Sequence, residues 1–253
     1  MNNRLLMLRT ALGNLDKVVF PRLIRPNVPR GAPPTRGLID WDIRFYCFSL
    51  LSHYREILRS TLWLIRRGRI PAAFVLSRCL FEMGAHAHYV HKHVCQHLKS
   101  GDLKLTWEFL TDINMGSRYI REEDAECGQG SEEAAFPLPR DVAKVIRCMN
   151  ELVMKGKDGA VKTYSYLSEF SHPNMAAFSN YYKFRQDKHG MAVLDFIEPT
   201  SDPSAAPLPE TSISLVSVLT FTQKLLAQTG EQDIATRINE IRDRVFKMGE
   251  QNK

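Results

Sequence analysis

The chain has 253 residues, 44% hydrophobic and 25% charged, the proportions of a globular protein with its own core. No run approaches the roughly 18 consecutive apolar residues of a membrane span, and no signal-peptide pattern opens the chain. The five cysteines, at 47, 79, 95, 127 and 148, never form a C-x-x-C pair, which points to reduced thiols, a cytoplasmic setting and no membrane.

The formal charge of +6 is unevenly placed. Residues 1–38 hold seven of the 34 basic residues (Arg4, Arg9, Lys17, Arg22, Arg25, Arg30, Arg36) and one acid, Asp16, which leaves 27 of each sign in the rest. A neutral body with a basic, Pro-rich N-terminal arm results. Such an arm suits a phosphate backbone or an acidic partner, and it shares the Arg-containing, acid-poor character of a transit peptide. The plainer reading is an arm packed on its own body or a neighbour's.

Along the chain the apolar spacing is helical. A short amphipathic segment near 3–18 leads into RPNVPRGAPPTRG, where the prolines rule out helix and central strand. The stretch from Asp40 to about Arg67 reads as one long helix, broken by Gly68-Arg69-Ile70-Pro71, with Pro71 suited to the first turn of the next. That second helix ends at Ser100-Gly101. A third runs from about Asp102 to Glu123 and gives way to an acidic loop. Pro139 and Arg140 open a helix to about Lys155, and another covers about 159–171, stopping at His172-Pro173.

YYKF and MAVLDFI, within 181–198, form a small hairpin turning at Lys188-His189-Gly190. A second Pro-rich loop, about 198–209, precedes helices over about 210–228 and from Glu231 towards the end. The expected fold is an all-α helical bundle over 39–253 with a small β-hairpin insertion.

AHAHYVHKHVCQH, residues 85–97, holds five of the eight histidines. At about 100° per residue, Glu82, His86, His93 and His97 border an apolar face of Val75, Leu76, Cys79, Met83, Val90 and Val94. His88 and His91 point elsewhere. His93 with His97, or Glu82 with His86, could each chelate an ion, but about 10–16 Å of helix separates the pairs. A zinc site would need further ligands from another helix, and no H-E-x-x-H or Cys-pair motif supplies them. The run is read as amphipathic side chains at a helix border, with no metal. No Gly-rich phosphate loop and no G-x-S-x-G elbow occurs, so no cofactor and no serine hydrolase is expected.

Two segments carry more specific chemistry. Arg78 and Glu82 stand one turn apart in an otherwise apolar helix, where they can pair and where burial is costly without partners. Tyr166-Leu167-Ser168-Glu169-Phe170-Ser171-His172-Pro173 ends a helix at His172, and Tyr166, Glu169 and His172 project from one side. In these two motifs the chain resembles bacterial proteins related to the HEPN superfamily, which pair an R-x-x-x-E helix with a later Y-x-x-S-x-x-x-H-P-like segment. The resemblance covers roughly residues 40–228. It implies a HEPN-like helical bundle, homodimerisation, action on RNA as a metal-independent endoribonuclease, and a toxin or phage-defence setting.

The family's catalytic Arg, separated from the His by four to six intervening residues, has no counterpart: Ser165, Tyr166 and Leu167 occupy those positions, and Lys162 is the nearest preceding cation. Metal-free RNA cleavage needs a group to handle the 2′-hydroxyl proton and a cation for the phosphate. His172 is the expected acid/base and Arg78 the substitute cation, with Glu82 and Tyr166 beside them. Arg66, Arg67, Arg69, Arg22 and Arg25 are the expected RNA contacts. The alternative is a non-catalytic helical interaction or scaffold protein in which Arg78-Glu82 and Tyr166-His172 are structural. A metal-dependent enzyme built on the histidine run is a third.

Overall fold

The computed structural model describes residues 3–29, 31–115, 142–153, 158–171, 182–186, 188, 191–196 and 205–250. Among these, eight helices and one hairpin occur: α1 (Asn3–Leu15), α2 (Arg36–Arg66), α3 (Ile70–Lys99), α4 (Leu103–Met115), α5 (Val142–Val153), α6 (Gly159–Ser171), β1 (Tyr182–Gln186), β2 (Ala192–Phe196), α7 (Leu208–Gln228) and α8 (Gln232–Glu250). The fold is an all-α bundle. The strands pair antiparallel from Tyr182 opposite Phe196 to Gln186 opposite Ala192.

Local chemistry sets the helix ends. The Thr35 hydroxyl accepts from the Leu38 amide at 3.3 Å and caps α2, and the Asp102 carboxylate does the same for α4 through Leu105 at 2.8 Å. Gly68, at a φ of 68°, takes the left-handed conformation that stops α2, and Pro71 opens α3. The third expected helix is described only to Met115, and residues 116–123 and 139–141 lie outside the described residues.

The arm does not stand apart. Leu5, Leu8, Ala11 and Leu15 recur at helical spacing along α1, and all are buried. They pack α1 against α8, α2 and α7. Phe20 stacks on Phe48 with ring centroids 4.8 Å apart, so the body of the protein begins near residue 3 rather than at 39. Asp16, the arm's one acid, accepts from Arg59 at 2.6 Å and lies 3.7 Å from Arg55.

Helix α3 is the centre of the bundle, touching α2, α4, α5, α6 and α7. Its closest neighbour is α7, met through small side chains. A Cβ on Gly84 would lie 3.0 Å from the Ser214 hydroxyl and 3.1 Å from its Cα. Ser77 and Thr211 share a hydrogen bond of 3.0 Å, and the Ser214 hydroxyl donates to the Leu80 carbonyl.

This corrects part of the expected orientation of α3. Val90 and Val94 are buried as expected, but Ala73, Ser77, Leu80, Gly84, Ala87 and His88 are buried as well, whereas Val75 is exposed. Small residues carry little hydropathy, yet they permit the tightest helix approach, and the most deeply packed face is the one they form. His88, expected to point away, is only 5% exposed, its ring 4.6 Å from that of Phe221.

Candidate functional site

Two residues of the α3 stripe expected to be apolar, Cys79 and Met83, face a cavity. Cys79, Glu82, Met83 and His86 form one wall, and α2, α4 and α5 supply the others around about 760 Å³. The Tyr46 hydroxyl and His86 Nδ1 are 3.0 Å apart at its edge.

Beside this cavity, Arg78 and Glu82 pair as their spacing requires, Nε donating to Oε1 at 3.0 Å. Arg78 Nη2 donates to the Tyr164 hydroxyl at 2.7 Å, and the guanidinium lies 5.0 Å from that ring's centroid. The two charged side chains are 24% and 33% exposed. Burial works against the guanidinium's charge, but the bonds to Tyr164 and Glu82 outweigh it and raise its pKa. Burial also raises the Tyr164 pKa, with Arg78 opposing. Three groups from α3 and α6 thus satisfy one another.

Tyr166 is not the tyrosine of this cluster. It is 47% exposed, and its ring meets Phe74 and Phe170 edge-on at 5.8 and 5.1 Å. The signal that finds Tyr164 is the spacing: Tyr164, Ser168 and His172 are four apart, the interval of one helical stripe. His172 itself lies outside the described residues.

The contacts also fix the direction of α6. Tyr164 meets Arg78, while Phe170 stacks on Phe74 at 4.5 Å, so α6 runs antiparallel to α3. Ser171 lies seven residues, about 10 Å, beyond Tyr164, beside the first turn of α3. That turn is reached from Arg66, Arg67 and Arg69, all exposed. Arg67 lies 5.7 Å from the ring centroid of Trp63, which is 56% exposed.

Arg22 and Arg25 are exposed as well, but elsewhere. Arg25 lies 5.5 Å from the Trp41 ring, near the start of α2. Arg66 follows Trp41 by 25 residues, about 37 Å of helix. The five arginines therefore do not form one site: Arg25 lies by the start of α2 and Arg66, Arg67 and Arg69 at its end.

Three more histidines of α3 are held by rings and a thiol. His93 and His97 pack on Phe109 at 5.2 and 5.4 Å. His91 Nε2 and Cys95 Sγ are 3.4 Å apart. Burial, then the charge of Lys224, lowers the His91 pKa to about 4. Among the described residues, no three His, Cys, Asp or Glu side chains group to hold a metal ion, no helix is long and apolar enough to cross a membrane, and Cys47, Cys79, Cys95 and Cys148 are free of disulfides.

Comparison with known proteins yields no match, whether to a family model, a curated protein or a solved structure.

Proposed function

We propose that this protein is a HEPN-like RNA-binding protein that takes RNA at the end of the bundle formed by the α2–α3 turn and the close of α6. One observation carries the reading: Trp63 is exposed beneath the Arg67 guanidinium, with Arg66 and Arg69 beside it. An aromatic face among cations is the combination that holds single-stranded nucleic acid, the ring stacking on bases and the guanidinium groups taking phosphates.

For cleavage, His172 follows Ser171 in the chain and serves as the acid/base. It would take the proton of the 2′-hydroxyl as that oxygen attacks the adjacent phosphorus and the 5′-oxygen leaves, giving a 2′,3′-cyclic phosphate. The cation favoured for this phosphate is Arg69 rather than Arg78. Arg78 is engaged by Glu82 and Tyr164, and it lies nine residues, about 13 Å along α3, from Arg69.

The test is binding of a labelled single-stranded RNA across a salt series. Affinity is expected to fall steeply with salt, and the slope to shrink by roughly one for each arginine removed from Arg66, Arg67 and Arg69. Trp63→Ala is expected to weaken binding by about 1–3 kcal/mol. Single charge replacements are the right tool here, because deleting residues 1–38 would strip α1 from the core. RNA binding that survives the triple Arg→Ala change sinks the proposal. Cutting that survives both His172→Ala and Arg69→Ala sinks its catalytic half.

A second reading, a non-catalytic interaction protein, draws on the mutual satisfaction of Arg78, Glu82 and Tyr164. It predicts that these variants change stability and leave any RNA affinity untouched.

A further inference from the structure

We infer that the small cavity at the start of α7 is a nucleobase subsite of the RNA site, stacking one base on Tyr166 and selecting guanine through Glu210. This subsite rests on the RNA-binding reading already proposed and adds base specificity to it. Arg4, Tyr166, Pro207 and Glu210 line about 260 Å³, which is below the size of a drug-sized ligand site and enough for a single base.

Helix directions place the cavity beside the arginines. Ser77 bonds Thr211 at 3.0 Å, and the His88 ring meets that of Phe221 at 4.6 Å, so α7 runs parallel to α3. Residues 205–207 precede Thr211 and therefore lie level with the first turn of α3, at the end of the bundle where Arg66, Arg67 and Arg69 stand. Tyr166 bridges the two places. Its ring is 5.8 Å from that of Phe74, and Phe74 follows Arg69 by five residues, about 8 Å of helix. A short single strand spans that separation.

Two features of the lining select the occupant. Tyr166 is 47% exposed, with its ring braced edge-on by Phe74 and Phe170, the setting of an aromatic platform that an unstacked base can cover. Glu210 is partly buried, and burial raises its pKa against a backbone hydrogen bond and the charge of Arg4. Arg4 acts there by charge alone, without a hydrogen bond to the carboxylate. Acceptor capacity therefore remains for a ligand.

A desolvated carboxylate gains most from two donors side by side. Guanine presents that pair on its Watson–Crick edge, N1–H next to the 2-amino group. Adenine and cytosine each set one donor beside an acceptor, and uracil sets one donor between two acceptors, so each turns a lone pair towards Glu210. A site built to accept from a donor pair discriminates against bases that lack it.

The experiment measures binding of short labelled oligouridylates carrying one central guanosine, inosine or adenosine to the full chain at low salt. Guanosine is expected to bind roughly tenfold tighter than adenosine, with inosine, which lacks the 2-amino donor, between them. Glu210→Gln should bring the three strands together; their ratio is blind to the change in overall charge. Tyr166→Ala should weaken all three by roughly tenfold, and Tyr166→Phe, which keeps the ring, should match the wild type. RNA binding without a guanosine preference, a preference that survives Glu210→Gln, or affinity indifferent to Tyr166→Ala overturns the guanine subsite and leaves the RNA reading standing. Absence of binding to every strand overturns the RNA reading and the subsite with it.

Discussion

The Arg78 guanidinium has two described partners, and each makes a distinct prediction. Tyr164→Phe removes one charge-assisted hydrogen bond from a partly buried cation and is expected to cost about 1–2 kcal/mol. Tyr166→Phe, at a half-exposed ring with no part in that cluster, should leave the denaturant midpoint unchanged. Arg78→Ala strands the Glu82 carboxylate beside apolar wall and should cost about 1–3 kcal/mol. Urea titrations of the three variants check the order.

Two titrating residues act in opposite senses in the same pH window. Burial pushes the Asp42 carboxyl up to about 6, with the Arg25 charge and the Asn114 amide opposing. Its folded form therefore binds protons more readily than the unfolded chain between about 6 and 3.8, and acidification through that range adds stability. His91, lowered from 6.5 to about 4, does the reverse. The unfolded chain holds the extra proton, so stability is full above 6.5 and is lost as pH falls towards 4. The wild-type melting temperature is expected to change less between pH 6.5 and 4 than that of either variant. Asp42→Asn should steepen the acid loss, and His91→Gln should turn it into a gain.

At the scale of elements, the α3–α7 contact depends on the absence of a side chain at Gly84. Alanine is the better helix former by about 1 kcal/mol, yet its Cβ would press on the Ser214 backbone. Overpacking of that kind costs about 1–3 kcal/mol. Gly84→Ala is expected to lower stability by about 1 kcal/mol net, and Gly84→Val by more, measured as a shift of midpoint at constant slope. The same contact explains which features of α3 were legible in its sequence. Its length, its start at Pro71 and its end at Ser100-Gly101 followed from local chemistry. Its orientation did not, because a helix covered by five others has no single apolar stripe for hydropathy to reveal. Cys79 and Met83 of the larger residues marked a cavity wall, Val90 and Val94 lay in the core, and the small residues marked the helix–helix seam.

At the scale of the whole molecule, the helices and the hairpin were readable because periodicity and turn residues are local signals. Long-range placement was not. Arg25 belongs to one charge class with Arg66, Arg67 and Arg69 in the sequence, but a 31-residue α2 holds it apart from them. Composition separated a basic arm from a neutral body, whereas burial of Leu5, Leu8, Ala11 and Leu15 makes α1 part of the core. The Arg78–Glu82 pair was legible from its spacing; its third member was misassigned by two residues, since a helix turns by about 200° over that interval.

The encirclement of α3 has a consequence for how the molecule opens. Amides on a peripheral helix can exchange with solvent through fraying or partial detachment, but those near Leu80 to Val90 are shielded by elements that share no common hinge. In heavy water these should be the last protons retained, and their exchange rate should follow the global unfolding equilibrium. Under rising denaturant, protection there would disappear in step with the cooperative transition, while α4 and β2 would already have exchanged.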